Sequence, residues 1–516
     1  GRDPAPNIAG AGHPAKISLS EVMAALFTMT FILISVRIIS NMTKKNILPP
    51  GPWPLPIVGN LLQLGEHPHL SFIQMRKNYG DVFLLKLGMV PVVVVNGLDT
   101  VKQVLLRDAE SFAGRPKMHT FSFFADGKSL SFSVEYGESW KLHKKIASKA
   151  LRSFSKSEAK TSSCSCHLEE HVCAEASALV KMFLELSLEK GAFDPTGITT
   201  CTVANVVCAL CFGKRYEYND EEFLSMIRIN ADFLKATSVV NPADFIPWFR
   251  YLPIPAVKAA HGFYEILNNL IAQRVEEHYT TYDKVRLQNY RPITAVFLMF
   301  CVCVCVFNPI FIKAAFWLPI YFAGFDTVAT CLFWIFLYLV NNPDIQTKIQ
   351  EEIDGKIGLR SPRFDDRKDL HYTEAFISEI LRHTSFIPLT IPHRATKETI
   401  LNGYLIPQDT CIFVNMYQVN HDETLWENAD LFRPERFLNE NSELNKSLIE
   451  KVLVFGMGIR KCLGEDIARN EIFIILTTIL QQLKLEKCLQ DQLDLTPVYG
   501  LSMKPKPYQI QVALHT

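Results

Sequence analysis

The sequence predicts a mainly α-helical protein with small β-sheets. Three observations carry this. Residues 168 to 282 have helical character interrupted only near Gly213, Pro242 to Pro255 and Gly262. An apolar, helix-like run extends from Gly464 to Leu483. Only two early stretches, Val82 to Leu87 and Val90 to Val95, have strand-like composition, the second being valine-rich and β-branched. At 516 residues the chain is long enough for several ordinary domains or one large one. Lys plus Arg and Asp plus Glu each number 53, so net charge points to neither nucleic acid nor an acidic ligand. The 13 cysteines fall in no disulfide-framework or zinc spacing, since Cys164/Cys166 and Cys301/Cys303/Cys305 are too close for either. This implies a reducing compartment. No Gly-x-Gly-x-x-Gly opens a strand–helix unit, so any redox chemistry draws its electrons from a partner.

Taken in order, the chain opens on Gly1, and residues 1–16 are an unassigned extension. Residues 17–43 hold a candidate membrane anchor. Val22 to Ile39 is apolar apart from Thr28, Thr30, Ser35 and Arg37, marginally enough to span a bilayer. Lys44 and Lys45 follow, which keeps the C-terminal side cytosolic. A cleaved signal peptide is the rival reading, but no small-x-small cleavage site follows the run. The sequon Asn41-Met42-Thr43 would then lie on the cytosolic side and stay unmodified. Residues 44–60 are a basic stop and a proline-rich linker, Pro49-Pro-Gly-Pro-Trp-Pro-Leu-Pro56, stiff because each proline restricts the backbone. An SH3-type ligand is the bland alternative for it.

The soluble body is residues 61–516. It begins with a short helix from His69 to Tyr79, the two strands, and a helix from Leu98 to Arg107. Phe112 to Phe132 is an aromatic loop broken by Gly114, Pro116 and Gly127, and a long loop in a compact body is more often functional than not. Trp140 to Leu151 is a basic helix with Lys141, Lys144, Lys145 and Lys149, and Arg152 follows; an ordinary solvated face is the plain reading. From Ile293 to Val340 only Lys313 and Asp326 are charged. Hydropathy alone reads this as one or two membrane spans. Pro309 and Pro319 break it, and Cys301-Val-Cys-Val-Cys305 alternates like a strand. A helix buried on every side is apolar on every face, so from about Ala323 a core helix is favoured.

Three places carry chemistry. Phe455-Gly-Met-Gly-Ile-Arg-Lys-Cys-Leu-Gly464 sets Cys462 in a glycine-shaped turn just before a helix, where aligned N–H groups favour thiolate. That thiolate suits a nucleophile, a redox switch or a metal ligand, and a buried structural cysteine is the bland alternative. Glu379 and Arg382 lie three apart on one helix face, by themselves a commonplace pair. Asp326-Thr327 puts a carboxylate beside a hydroxyl that both accepts and donates, which suits proton delivery.

The pattern Phe-x-x-Gly-x-Arg-x-Cys-x-Gly resembles the haem-thiolate loop of the cytochrome P450 superfamily. Other motifs follow that superfamily's order: Ala323-Gly-Phe-Asp-Thr327, Glu379-Ile-Leu-Arg382 and Pro434-Glu-Arg-Phe437. A closer resemblance, to family 1 and within it to subfamily D, covers about Pro49 to Leu501. It rests on Phe386-Ile-Pro-Leu-Thr-Ile-Pro-His393, Val414-Asn-Met-Tyr-Gln-Val-Asn-His421, Phe455 to Glu465 and Leu495-Thr-Pro-Val-Tyr-Gly-Leu501.

The resemblance implies the P450 fold and haem b, with Cys462 as the iron's proximal ligand. It makes Trp140, Lys144, His393, Phe455 and Arg460 contacts of the haem, and Asp326 and Thr327 the oxygen-activating pair. Glu379, Arg382 and Arg436 become a buried structural network. By position Phe124, Phe132, Asn230, Phe233, Ala323, Gly324, Ile391 and Leu501 match cavity-lining places, although Phe233 reads as core on sequence alone. The implied activity is insertion of one atom of O2 into planar aromatic xenobiotics and steroid- or fatty-acid-like lipophilic compounds. Electrons would come from NADPH through cytochrome P450 reductase, with cytochrome b5 as a second donor, at the cytosolic face of the endoplasmic reticulum. Two departures stand out. Lys144 replaces the arginine of the family's Trp-x-x-x-Arg pair. Residues 293–322 do not resemble the family, with Pro319 and Phe322 where close relatives carry an acidic residue and a glycine, as a retained intron or mis-joined exon would produce. These departures support the rival reading of a haem-binding pseudoenzyme, and hydropathy alone supports a multi-span membrane protein.

Overall fold

The computed structural model describes residues 23, 28–29, 48–122, 129–156, 164–212, 214–236, 241–252, 262, 309–488 and 493–515. The chain divides into Gly1–Leu48 and Pro49–Thr516, and the second unit carries the fold. All of the candidate anchor except residues 23, 28 and 29, the sequon, Phe124 and the cysteine alternation at 301–305 lie outside the described residues.

After a first helix α1 (Pro68–Tyr79), strands β1 (Val82–Leu87) and β2 (Val90–Val95) form at the expected positions. They pair antiparallel, Val82 opposite Val95 and Leu87 opposite Val90, around a turn at Gly88, where φ is +54°. A side chain at Gly88 would also strike the Phe245 carbonyl, 2.5 Å from where its Cβ would stand, so glycine is required twice over there. β2 then pairs parallel with β6 (Cys411–Val414), which pairs antiparallel with β3 (His393–Arg394), giving the order β1-β2-β6-β3. β2 is therefore interior, and Val92 to Val95 are buried on both faces, which explains a continuous apolar run in place of alternation. Two small hairpins, β4 (Thr399–Leu401) with β5 (Tyr404–Ile406) and β7 (Leu483–Lys487) with β8 (Ile510–Leu514), complete the strands among the described residues.

The rest is helical. α2 (Leu98–Lys102) continues as one π-turn over Gln103–Arg107, so the helix expected from Leu98 to Arg107 is there with a widened end. The aromatic loop contains the short α3 (His119–Ser122). Then come α4 (Glu138–Lys156), α5 (His167–Lys190), α6 (Thr196–Phe212), α7 (Glu221–Ala236) and α8 (Pro242–Phe245). The central helix α9 (Pro309–Asn341) is followed by α10 (Pro343–Lys356), α11 (His371–Thr384), α12 (Met416–Asn420), α13 (Lys446–Ile449) and α14 (Glu465–Gln482).

α9 answers two expectations. Its window Ala323–Asn341 has a mean hydropathy of 1.7, enough for a membrane span, yet is 83% buried within the protein. α6, α11 and α14 pack around it. It is the core helix, apolar on every face because every face meets protein. The expected break at Pro319 is absent: the backbone stays helical from Pro309, a first-turn position that suits proline, through to Asn341. Gly324 lets α6 come close, since a Cβ there would stand 3.2 Å from the Val207 side chain.

Candidate active site

The loop before α14 is shaped by its glycines. Gly456 and Gly458 have φ of +66° and +65°, and a Cβ on Gly458 would lie 1.8 Å from the Leu105 carbonyl oxygen. The turn brings the Cys462 amide to the Phe455 carbonyl at 2.9 Å. The amides of Gly464 and Glu465, at the start of α14, then donate to the Cys462 sulfur. Burial pushes the thiol's pKa up more strongly than those amides and Lys461 pull it down. The expectation that aligned amides alone favour thiolate is thus half the balance, and a metal cation would tip the rest by holding the deprotonated form. Residue Cys462 keeps solvent-exposed surface, while the neighbourhood of its thiol is crowded by protein. Phe455 is covered by the Arg469 guanidinium, 4.9 Å from the ring centroid, which also pairs with Glu465 at 3.1 Å.

Beside this loop the chain gathers Arg115, Lys144 and Arg460, with no anion bonded to them among the described residues. Arg460 stacks on Trp140 at 4.0 Å and donates to the carbonyls of Ala113, Leu130 and Ser133 at 2.9–3.3 Å. Trp140 Nε1 donates to the Leu130 carbonyl at 2.9 Å, and Lys144 Nζ donates to the Ile459 carbonyl. Arg115, which sequence reading missed, is buried, donating to the carbonyls of Ser131, Ile391 and Pro392. It is delivered there because the Arg394 amide binds the Gly114 carbonyl at 2.9 Å, extending β3 with the loop. His393 is buried, with Nδ1 2.9 Å from the Phe112 carbonyl. Burial lowers Arg460 to about 10, and burial first, with repulsion from Arg460 second, lowers Lys144 and Arg115; His393, depressed by burial and by both arginines, stays neutral. The acceptors of Arg115, Arg460 and Lys144 are all main-chain carbonyls, and among the described residues none of the three has an ion pair. Buried charge on that scale calls for an anion. A group carrying carboxylates and a thiolate-loving metal fits this donor set.

On the other side of the site stands α9. Thr327 Oγ1 donates to the Ala323 carbonyl at 2.7 Å. Asp326 is not hydrogen-bonded to it. Its carboxylate accepts from Ser502 Oγ at 2.9 Å and pairs with Lys504 Nζ at 2.6 Å, two partners that sequence reading did not find. The segment carrying them is strapped down by Trp334 Nε1 on the Met503 carbonyl (2.9 Å) and by the Met503 amide on the Phe386 carbonyl (2.7 Å). The adjacent apolar contacts are partly assembled. Phe132 packs at 4.8 Å on Phe121, and Ile391 and Leu501 pack on the same cluster. Ala323 is exposed, and Asn230 is buried with Nδ2 lacking a partner among the described residues. Gly324 faces Val207, so its contribution is close packing of α6 on α9. The side chain of Phe233, like Phe124, lies outside the described residues.

Beneath, Glu379 holds Arg382 at 2.7 and 2.8 Å and Arg436 at 3.1 Å, with all three buried. Arg382 also donates to the Asn420 carbonyl and Arg436 to those of Glu427, Asn428 and Leu431. The spare capacity of both guanidiniums is thus spent on main chain, which is what a buried ion network needs to be tolerated.

Residues 49–512 match the cytochrome P450 family. The chain belongs to that family. It is 46% identical over 511 residues to cytochrome P450 1A5 of Gallus gallus, covering 96% of this chain and 95% of the relative. It is 42% identical to cytochrome P450 1A1 of Felis catus over 503 residues, 96% of both chains. With cytochrome P450 1A1 of Homo sapiens the identity is 42% over 501 residues, 95% of this chain and 97% of the relative. These relatives agree with the resemblance to family 1. This P450 is a haem-thiolate monooxygenase that binds haem b, receives electrons from a redox partner and acts on lipophilic compounds. The pseudoenzyme reading gains nothing from them, and Lys144, one of its two supports beside the 293–322 stretch, reaches the Cys462 loop through the Ile459 carbonyl.

Proposed function

We propose that this P450 inserts one atom of O2 into planar aromatic xenobiotics and related lipophilic molecules, with Cys462 as the proximal iron ligand. The observation that carries the reading is Cys462, held by the Gly464 and Glu465 amides, beside Arg115 and Arg460, whose partners among the described residues are main-chain carbonyls. The reaction balances as substrate, O2, NADPH and one proton giving hydroxylated product, water and NADP+. Haem b supplies the one-electron and oxygen chemistry, and a thiolate ligand pushes electron density toward O–O cleavage.

The chain's own residues do the rest. Arg115, Arg460, Lys144, Trp140 and His393 hold the haem carboxylates, which would supply their missing counter-charge. Phe455, whose carbonyl accepts from the Cys462 amide at 2.9 Å, holds the turn that carries the sulfur. Thr327 Oγ1, released from the Ala323 carbonyl, would carry a proton that the reaction consumes. Asp326 Oδ1 and Lys504 Nζ, whose side chain is 35% exposed, connect that hydroxyl's neighbourhood to solvent. Phe132, Ile391 and Leu501, which pack on one cluster, would wall a flat apolar cavity, to which Phe124, Asn230, Phe233, Ala323 and Gly324 are assigned by the family resemblance alone. Aromatic walls favour planar aromatic guests by offset stacking. Glu379, Arg382 and Arg436 serve structure.

NADPH–cytochrome P450 reductase is the electron donor in this reading, with cytochrome b5 as a second, docking on the basic face of α4. The enzyme sits on the cytosolic face of the endoplasmic reticulum, held by one anchor within residues 17–43, with 44–60 as stop and linker. An apolar rim on the folded body supports a membrane-facing side. Exposed Ile57 and Leu62 flank Val58, whose carbonyl accepts from Gly88; exposed Met89 bonds the Phe245 carbonyl; exposed Trp248 and Tyr251 follow directly. Cys462→Ser tests the core of the proposal. The reduced, carbon-monoxide-bound protein should show a thiolate-type Soret band that the variant lacks, and NADPH-dependent oxidation of an aromatic ether should fall to background. An unchanged band in the variant would assign the ligand elsewhere.

A further inference from the structure

The first two turns of α5 carry a histidine pair that the haem chemistry does not use. His167 and His171 are four residues apart, so their side chains lie one above the other on the same helix face. The rings meet edge-on with centroids 4.4 Å apart, and their Nε2 atoms are 3.2 Å from each other. Two metal–imidazole bonds of about 2.0–2.1 Å at a tetrahedral angle put their nitrogens about 3.3–3.4 Å apart. The pair already has nearly that spacing.

The outer shell also fits. Glu170 Oε2 lies 3.2 Å from His167 Nδ1, which fixes the proton on that nitrogen and leaves Nε2 as the ligand atom. A carboxylate behind a ligating imidazole raises its basicity and holds its ring. Both His167 and Glu170 are about one-fifth exposed, so an ion can reach them from solvent. Two guanidiniums on neighbouring segments are paired with carboxylates of this helix, Arg363 lying 3.9 Å from Glu169 and Arg215 2.6 Å from Glu175. No third His, Cys, Asp or Glu completes a protein cage among the described residues. Water would fill the remaining positions, which makes the site exchangeable.

We infer that His167 and His171 form a divalent transition-metal site on α5, with Glu170 as the carboxylate that orients His167. The ion would replace the proton shared between the two Nε2 atoms and clamp the first turn of α5 to the second. That turn matters because Glu169, between the ligands, holds the amides of Ser165 and Phe364 at 2.5 and 2.6 Å. Imidazole donors select Cu2+, Ni2+ and Zn2+ over Mg2+ or Ca2+, with Cu2+ tightest.

The test is calorimetric titration of the chelator-stripped, haem-loaded full chain with Zn2+ and Cu2+, alongside copper electron paramagnetic resonance. Wild type should bind one ion with two nitrogen ligands, and Zn2+ should raise its Tm. His171→Ala should weaken that site at least tenfold and remove the Tm shift, and Glu170→Gln should weaken it about tenfold. If His171→Ala fails to retain the carbon-monoxide spectrum, His171→Gln, which keeps the bulk and loses the ligand, takes its place. Equal affinity and stoichiometry in the variants would overturn the assignment in favour of other histidines, as would the absence of binding by wild type.

Discussion

Around Cys462 the chain positions its groups through backbone geometry, whereas around Thr327 it relies on side chains borrowed from a segment some 175 residues further along. Glycines with positive φ, carbonyls on Arg460 and amides on the sulfur define the first region. A carboxylate shared between Ser502 and Lys504 defines the second. Main-chain contacts at close approach leave little room to adjust, while side-chain contacts between partly exposed groups can shift and be replaced by water. The proximal side should therefore fail outright when disturbed and the distal side by degrees.

Gly458→Ala is the harshest way to break that contrast. The added methyl would stand 1.8 Å from the Leu105 carbonyl, at a φ that alanine resists. The loop must move, and the expected outcome is a protein purified without haem, read from its absorption at the Soret band. Retained haem with a normal carbon-monoxide spectrum would show that the loop tolerates what the geometry forbids.

Glu379→Gln comes next. The amide keeps the shape but strands Arg382 and Arg436 in a buried place, a change that typically costs about 3–5 kcal/mol. Against an ordinary domain stability of about 5–15 kcal/mol, that is a large fraction. Urea unfolding should show it as a lower midpoint with an unchanged slope. A loss under about 1 kcal/mol would mean that the carbonyls of Asn420, Glu427 and Leu431 suffice for both guanidiniums.

The same contrast explains what could be read in the sequence. β1 and β2 appeared at their expected bounds because β-branched runs beside a turn are a local signal. The Cys462 loop was legible because its glycines, arginine and cysteine are ten consecutive residues with one backbone solution. Glu379 and Arg382 were legible as a pair, and Arg436 only through the family pattern. Arg115 was missed because a lone arginine in a loop looks solvated; only the pairing of Gly114 with Arg394 buries it. Ser502 and Lys504 were missed because nothing near Asp326 in the sequence announces them. Helix α9 passes through Pro319, where local rules call for a break, because proline statistics carry no knowledge of the surrounding chain.

Lys504→Met is the mildest test and the one that most sharpens the distal half. Lys504 Nζ is 2.6 Å from Asp326 Oδ1 and partly in solvent, while Asp326 itself is buried. If the pair passes protons toward Thr327, removing the ammonium slows the proton-dependent step and leaves the apolar cavity untouched. The expected signature is a fall in kcat of about tenfold, small beside a full general-acid contribution of about 100- to 10,000-fold, because water and Ser502 still reach the carboxylate. KM should stay within about twofold and the solvent deuterium isotope effect on kcat should grow, with Lys504→Arg restoring both. A purely structural ion pair would behave differently. Its loss would lower Tm and leave the isotope effect where it was, because a docking contact has no proton to deliver.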